Sequence, residues 1–175
     1  VVSGPVSQTA DLFNLVAVSG SAGSATLSQK SVYPYFLRTV SPHMAYVPAM
    51  VALCTYFKWR RVGSITEKTG VTTGTMAVFH EAALAAGIKL TVQLQIGTEE
   101  TVKTTSTVID SALARLKSTD TRIIFVHGYN RFLRRIFCDS FQRYGLAGSP
   151  EHVFVVPGWH ASGWWRRDKA DVHTC

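Results

Sequence analysis

Apolar and polar positions recur along this chain in two periods, and the period switches repeatedly. From Ile88 to Ile96 every second residue is apolar (Ile88, Leu90, Val92, Leu94, Ile96), the two-residue period of a strand. From Met44 to Lys58 the spacing is three or four, through Val47, Met50, Val51, Cys54 and Phe57, which predicts a helix. Pro48 fits only the first turn of that helix, so its start is expected after Met44. Helical spacing returns in Met76, Phe79 and Ala83, closed by Gly87, and in Ile109, Ala112, Leu113 and Leu116 within 105–117. A last helix carries Leu133, Ile136, Phe137, Phe141 and Tyr144 on its predicted apolar face, with Arg131, Arg134, Arg135 and Gln142 assigned to another face and Gly145 at the C-cap. Apolar runs at 14–19, 61–66, 123–126 and 152–156 predict further strands, the first and third of them buried on both faces. Residues 1–13 read as the end of a helix feeding a strand, 20–28 as a loop leading into a helical turn, and 33–39 as an extended segment. Strand and helix thus alternate from Asn14 to Val156, and the expected fold class is α/β with a parallel sheet and right-handed crossovers.

That order places chemistry at one sheet edge. Gly128 breaks the run at 123–126, leaving Tyr129 and Asn130 at a strand's carboxyl end, where open α/β sheets collect ligands. Pro157 and Gly158 end the next strand and present Trp159 at the same edge. Two aromatics at neighbouring strand ends point to a binding wall, not a catalytic centre. The small polar loop GSAGSATLS (20–28) lacks both glycine-rich phosphate motifs and, with Ser19 at the first glycine position, the GxSxG elbow. His152, His160, His173 and Cys175 are too loosely spaced for zinc. Glu99 and Glu100 are adjacent and point to opposite faces of an extended chain. No enzyme, metal or cofactor is expected.

Composition narrows the field without deciding it. The 175 residues are 46% hydrophobic, which suits a folded domain, and the net charge is +7. Nucleic acid is set aside as a partner: the charges are scattered except at 131–135 and 166–169, and no nucleic-acid-binding module accompanies them. No apolar run approaches the ~18 residues of a membrane span, no signal peptide opens the chain, and Val1 marks it as an internal fragment. Neither Asn14 nor Asn130 lies in an N-x-[ST] sequon. Cys54 reads as a buried thiol on an apolar helix face. Cys138, placed on the arginine-bearing face of its helix, is either a reactive thiol with a lowered pKa or half of a disulfide.

Four blocks carry a resemblance: YPYFLRTVSP at 33–42, FKWRRVGSIT at 57–66, RIIFVHGYNRFLRRIFC at 122–138 and VFVVPGWHASGWW at 153–165. In order and spacing they resemble the extracellular ligand-binding domain of the metabotropic GABA (GABA-B) receptors, class C G-protein-coupled receptors with a periplasmic-binding-protein-like I clamshell. The similarity runs from about Asn14 to Cys175 and is weakest across 67–120. It implies part of lobe 1 at 1–39, lobe 2 at 40–165, and a loop at 166–175 tied back by a Cys138–Cys175 disulfide. It implies a lobe-1 loop with Ser21 and Ser24 near the carboxylate of a GABA-like amino acid, and Tyr129 and Trp159 contacting agonist from lobe 2. Gly23 stands where the agonist-binding subunit has a carboxylate-holding serine, and Val40 where it has a ligand-contacting histidine. Tyr129 matches the binding subunit, whereas PGWHASGWW is closer to its non-binding partner. The function implied is amino-acid sensing by clamshell closure, or service as the non-binding subunit, on the extracellular side of the cell membrane. Its partners are a second receptor subunit and, through other regions, a G protein. Two other classes share the clamshell: single-span receptors of the natriuretic-peptide type and soluble periplasmic amino-acid-binding proteins.

Overall fold

A computed structural model describes residues 2–103, 105–160 and 162–165. Helix α1 (Ser3–Asp11) leads into β1 (Ala17–Ser19), which pairs in parallel with β2 (Phe36–Arg38). A 3-10 turn (His43–Tyr46) then runs directly into α2 (Val47–Tyr56), with Pro48 in the first turn, where no helical hydrogen bond is lost. The remaining chain alternates β3 (Arg61–Glu67), α3 (Gly70–Ala85), β4 (Lys89–Ile96), α4 (Thr107–Ser118), β5 (Ile123–His127), α5 (Asn130–Gln142) and β6 (Val153–Val155). Its four strands form one parallel sheet in the order β4-β3-β5-β6. The α/β class expected from periodicity is therefore observed.

Helices cover both faces of this sheet. On one, Val47 and Cys54 of α2 and Met76, Phe79 and Ala83 of α3 pack on Val62 and Phe125. The Phe79 and Phe125 rings lie 4.7 Å apart. On the other, Ile109, Leu113 and Leu116 of α4 and Phe132, Leu133 and Ile136 of α5 pack on Ile65, Ile124 and Val126. Burial pushes the free Cys54 thiol up to about 11, so it is inert packing material.

Four expectations need correction. The five alternating apolar residues of 88–96 do not share a face. Val62 pairs with Leu90 and Gly63 with Val92, so Thr91 is the extra residue of a bulge, its hydroxyl donating to Val62 O at 3.0 Å. An inserted residue inverts the alternation. Ile88 and Leu90 consequently join the α2/α3 side, and Val92, Leu94 and Ile96 the α4/α5 side. In α5, Phe132 is fully buried and Arg135 is only 3% exposed, whereas Phe141 is 65% exposed and lies over Gly148. Arg135 is buried because Asp139, one turn on, pairs with it at 2.8 Å and its guanidinium also donates to Lys103 O at 3.0 Å. Cys138 is buried with it rather than lying on an exposed basic face. The run 14–19 is not a buried strand either: among the described residues only Ala17–Ser19 pair, and Leu15, Val16 and Val18 are exposed. Glu99 and Glu100 lie in a 3-10 turn (Thr98–Val102) instead of an extended segment, with Glu100 buried and accepting from Ser106 Oγ at 2.6 Å.

Candidate functional site: an aromatic and histidine cluster at the strand ends

The carboxyl ends of both sheets converge on Trp159. On the two-stranded side, Ser19 Oγ ends β1 by accepting from the backbone N–H groups of Ser21 (3.3 Å) and Ala22 (3.1 Å), which folds the serine loop back over the strand. Arg38 at the end of β2 braces that loop. Its Nη1 donates to the carbonyls of Ala22 (3.1 Å) and Ser24 (2.8 Å), and its Nη2 to Ser28 Oγ. Ser21 is exposed, and half-buried Ser24 shares a hydrogen bond with Thr26 (2.9 Å). Between them Gly23 is buried, its carbonyl accepting from His43 N–H at 2.9 Å.

On the four-stranded side, β5 ends in His127, followed by the tight turn at Gly128. A side chain at Gly128 would overlap Phe132 and the buried Glu67, so glycine is required for α5 to start there. Glu67, last in β3, accepts from Tyr129 N–H at 2.7 Å and fixes the entry to α5. A carboxylate at a helix N-terminus is favourably placed against the helix dipole. The Tyr129 side chain is 48% exposed, and among the described residues no ring contact joins it to Trp159. The two predicted aromatics share an edge without touching.

Trp159 instead gathers residues that periodicity did not single out. Its ring stacks on His43 (centroids 4.6 Å apart, planes at 16°), tilts against Tyr46 (5.7 Å) and meets His127 edge-on (5.0 Å). His160 follows at 5.6 Å and shares a 2.5 Å hydrogen bond with Asn130, the first residue of α5. Burial lowers the pKa of all three histidines. For His43 the nearby Arg38 adds to the effect, and His127, with His43 and His160 beside it, is pushed down to about 4. At neutral pH the cluster is uncharged. Behind Trp159 a cavity of about 500 Å³ opens between α2 and the sheet, lined by Met50, Leu53, Met76, Phe125 and Val155. Those apolar walls disfavour a charged group. Among the described residues no group of three or more His, Cys, Asp or Glu side chains is placed to hold a metal.

Over residues 1–173 the chain matches the receptor family ligand binding region. It belongs to that family. Among curated relatives, the gamma-aminobutyric acid type B receptor subunit 2 of Rattus norvegicus is 28% identical over 174 residues, 99% of this chain and 17% of the relative. The human subunit 2 is 27% identical over the same length, and subunit 1 of Mus musculus is 28% identical over 165 residues, 94% of this chain and 16% of the relative. The chain therefore spans about a sixth of the length of these relatives. They are receptors, not enzymes, and the parallel α/β architecture of this receptor ligand-binding region agrees with the periplasmic-binding-protein-like class.

Within this domain, His43 connects Gly23 of the serine loop to Trp159, while Ser21 is exposed, Ser24 bonds Thr26, and Tyr129 stands apart. His127 had a signal in the sequence, as the residue ending a buried run at a strand's carboxyl end. His43 and Tyr46 had none, since the 3-10 turn that aims them has no apolar period. Cys175 and the tail at 166–175 lie outside the described residues, as does His173. Among the described residues no helix is long and apolar enough to cross a membrane.

Proposed function

We propose that this chain is part of an extracellular, GABA-B-like amino-acid-sensing unit, in which 1–39 contributes to one lobe and 40–165 forms most of a second. The observation that supports it best is the meeting of the serine loop and Trp159 across the ends of two separate parallel sheets, in a chain of the receptor family. Serine hydroxyls and loop N–H groups suit a carboxylate, and an aromatic face suits an ammonium, by ~0.5–2 kcal/mol. In this reading Ser21 and Ser24 lie beside the carboxylate, Tyr129 and Trp159 close over the amine, and closure biases a two-state equilibrium read by a partner subunit and a G protein. A Cys138–Cys175 disulfide would tie the tail back to α5, and peptide mapping without reductant tests that pairing.

A second reading has its own support. Gly23 is covered by the His43 ring, which leaves no room above it for a ligand-holding side chain. That favours the role of a partner subunit that transmits closure without binding agonist. Calorimetric titration of GABA separates the two. Saturable heat that Trp159→Ala abolishes supports sensing. No heat from GABA or its close analogues removes the agonist roles of Tyr129 and Trp159 and leaves the partner-subunit reading.

A further inference from the structure

The His43 side chain is held by ring contacts. Its backbone is anchored to Gly23 O, its imidazole lies parallel to Trp159, and Tyr46 flanks both rings at 6.1 Å from His43 and 5.7 Å from Trp159. A methyl group placed on Gly23 would overlap the imidazole, so a serine at 23 and His43 in this position exclude one another. The loop cannot retreat, because Arg38 holds the carbonyls on either side of Gly23. Yet among the described residues no group hydrogen-bonds the buried His43 Nδ1. A buried polar atom left unpaired is costly, which makes this ring a displaceable occupant and not a cemented one.

We infer that His43 is the specificity-determining residue of this cleft: its imidazole fills the space between Gly23 and Trp159, and an amino-acid carboxylate enters only when that side chain leaves. The inference rests on the amino-acid-sensing reading for its ligand class, but the slot itself is a claim about this chain alone. It explains why glycine at 23 and an aromatic stack on Trp159 occur together. Both are consequences of one side chain lying between the serine loop and the lobe opposite.

Two titrations on the full chain test it. GABA is titrated into the parent, His43→Ala and His43→Phe; 4-methylimidazole is titrated into the parent and His43→Gly. The expected result is at least tenfold tighter GABA binding in His43→Ala, with His43→Phe indistinguishable from the parent because the stack persists. In addition, 4-methylimidazole should bind His43→Gly saturably and the parent not at all. If 4-methylimidazole fails to saturate His43→Gly, there is no slot and the inference falls, whatever GABA does. If GABA binds the parent and His43→Ala within twofold of each other, sensing stands and the gating role of His43 falls. If 4-methylimidazole fills the slot while GABA binds no variant, the slot is real, the amino-acid specificity is overturned, and the sensing reading falls with it.

Discussion

The runs NLVAVS (14–19) and IIFVH (123–127) look alike as sequence and end in different environments. Ile124 and Val126 are buried to within 1% of complete, whereas Val18 is 66% exposed. Both segments contain parallel strands. The difference lies in their neighbours among the described residues: β5 has a strand on each side and helices on both faces, while β1 pairs with β2 and is packed by α1. An apolar run therefore encodes the capacity to be buried, and the number of covering layers decides whether that capacity is used. The two sheets consequently play different parts at the site. The four-stranded sheet is covered by helices on both faces, and the two-stranded sheet presents a loop held by Ser19, Arg38 and the His43 N–H.

The largest expected effect follows from this contrast. Ile124→Ala removes packing from a site enclosed by α4, α5 and two strands and should cost ~2–5 kcal/mol in denaturant unfolding. Val18→Ala, on the open sheet, should stay within about 0.5 kcal/mol. Equal costs at the two positions would mean that the open side of β1 is covered in solution, and the comparison would fail.

Acid should act next, at the junction of the two regions. His127 has its folded pKa near 4, below the ordinary 6.5, because burial and the neighbouring His43 and His160 disfavour the imidazolium. In the window between about 6.5 and about 4 the unfolded chain binds a proton that the folded chain refuses, so stability falls as pH falls, and the loss is complete below about 4. The full displacement is on the order of 3 kcal/mol. His43 and His160, also lowered, act in the same direction. In His127→Phe the slope of unfolding free energy against pH should flatten across that window. An unchanged slope would show that His127 is not the group resisting protonation.

These contrasts bear on what the sequence could reveal. Element order, the start of α2 after Met44, and the left-handed Gly87 just past α3 (φ +73°) are local matters of period, proline geometry and backbone, and were legible; α5 instead ends at Gln142 with its cap at Arg143, two residues before Gly145. The bulge at Thr91 was not, because an uninterrupted apolar alternation gives no sign of an inserted residue. Nor was the rotation of α5, because burying Arg135 depends on Asp139 and on a carbonyl 32 residues away. At the site, Tyr129 and Trp159 were legible as strand-end residues. Their failure to touch, and the His43 ring lying against Trp159, are products of a 3-10 turn that no periodicity announces.

A smaller effect than at Ile124 is expected at Gly63, and it reports on how tightly the covered sheet is closed. A methyl group there would press on Thr121 Cγ2 at 2.7 Å and Leu116 Cδ2 at 3.3 Å, on the face covered by α4. Gly63 also adjoins the bulge, where β4 already departs from regular register. The Thr121 hydroxyl bridges to Thr91 at 2.8 Å, so moving Thr121 disturbs the residue that forms the bulge. Gly63→Ala should therefore cost ~1–3 kcal/mol as overpacking, against the roughly 0.5–1 kcal/mol that alanine ordinarily gains over glycine in a strand. A double variant with Thr121→Ser removes the obstructing methyl while keeping the hydroxyl bond. If it restores stability, close packing of α4 on β3 is the cause. If it does not, the strain lies in the backbone at the bulge, and the closed face owes its register to Thr91 rather than to helix packing.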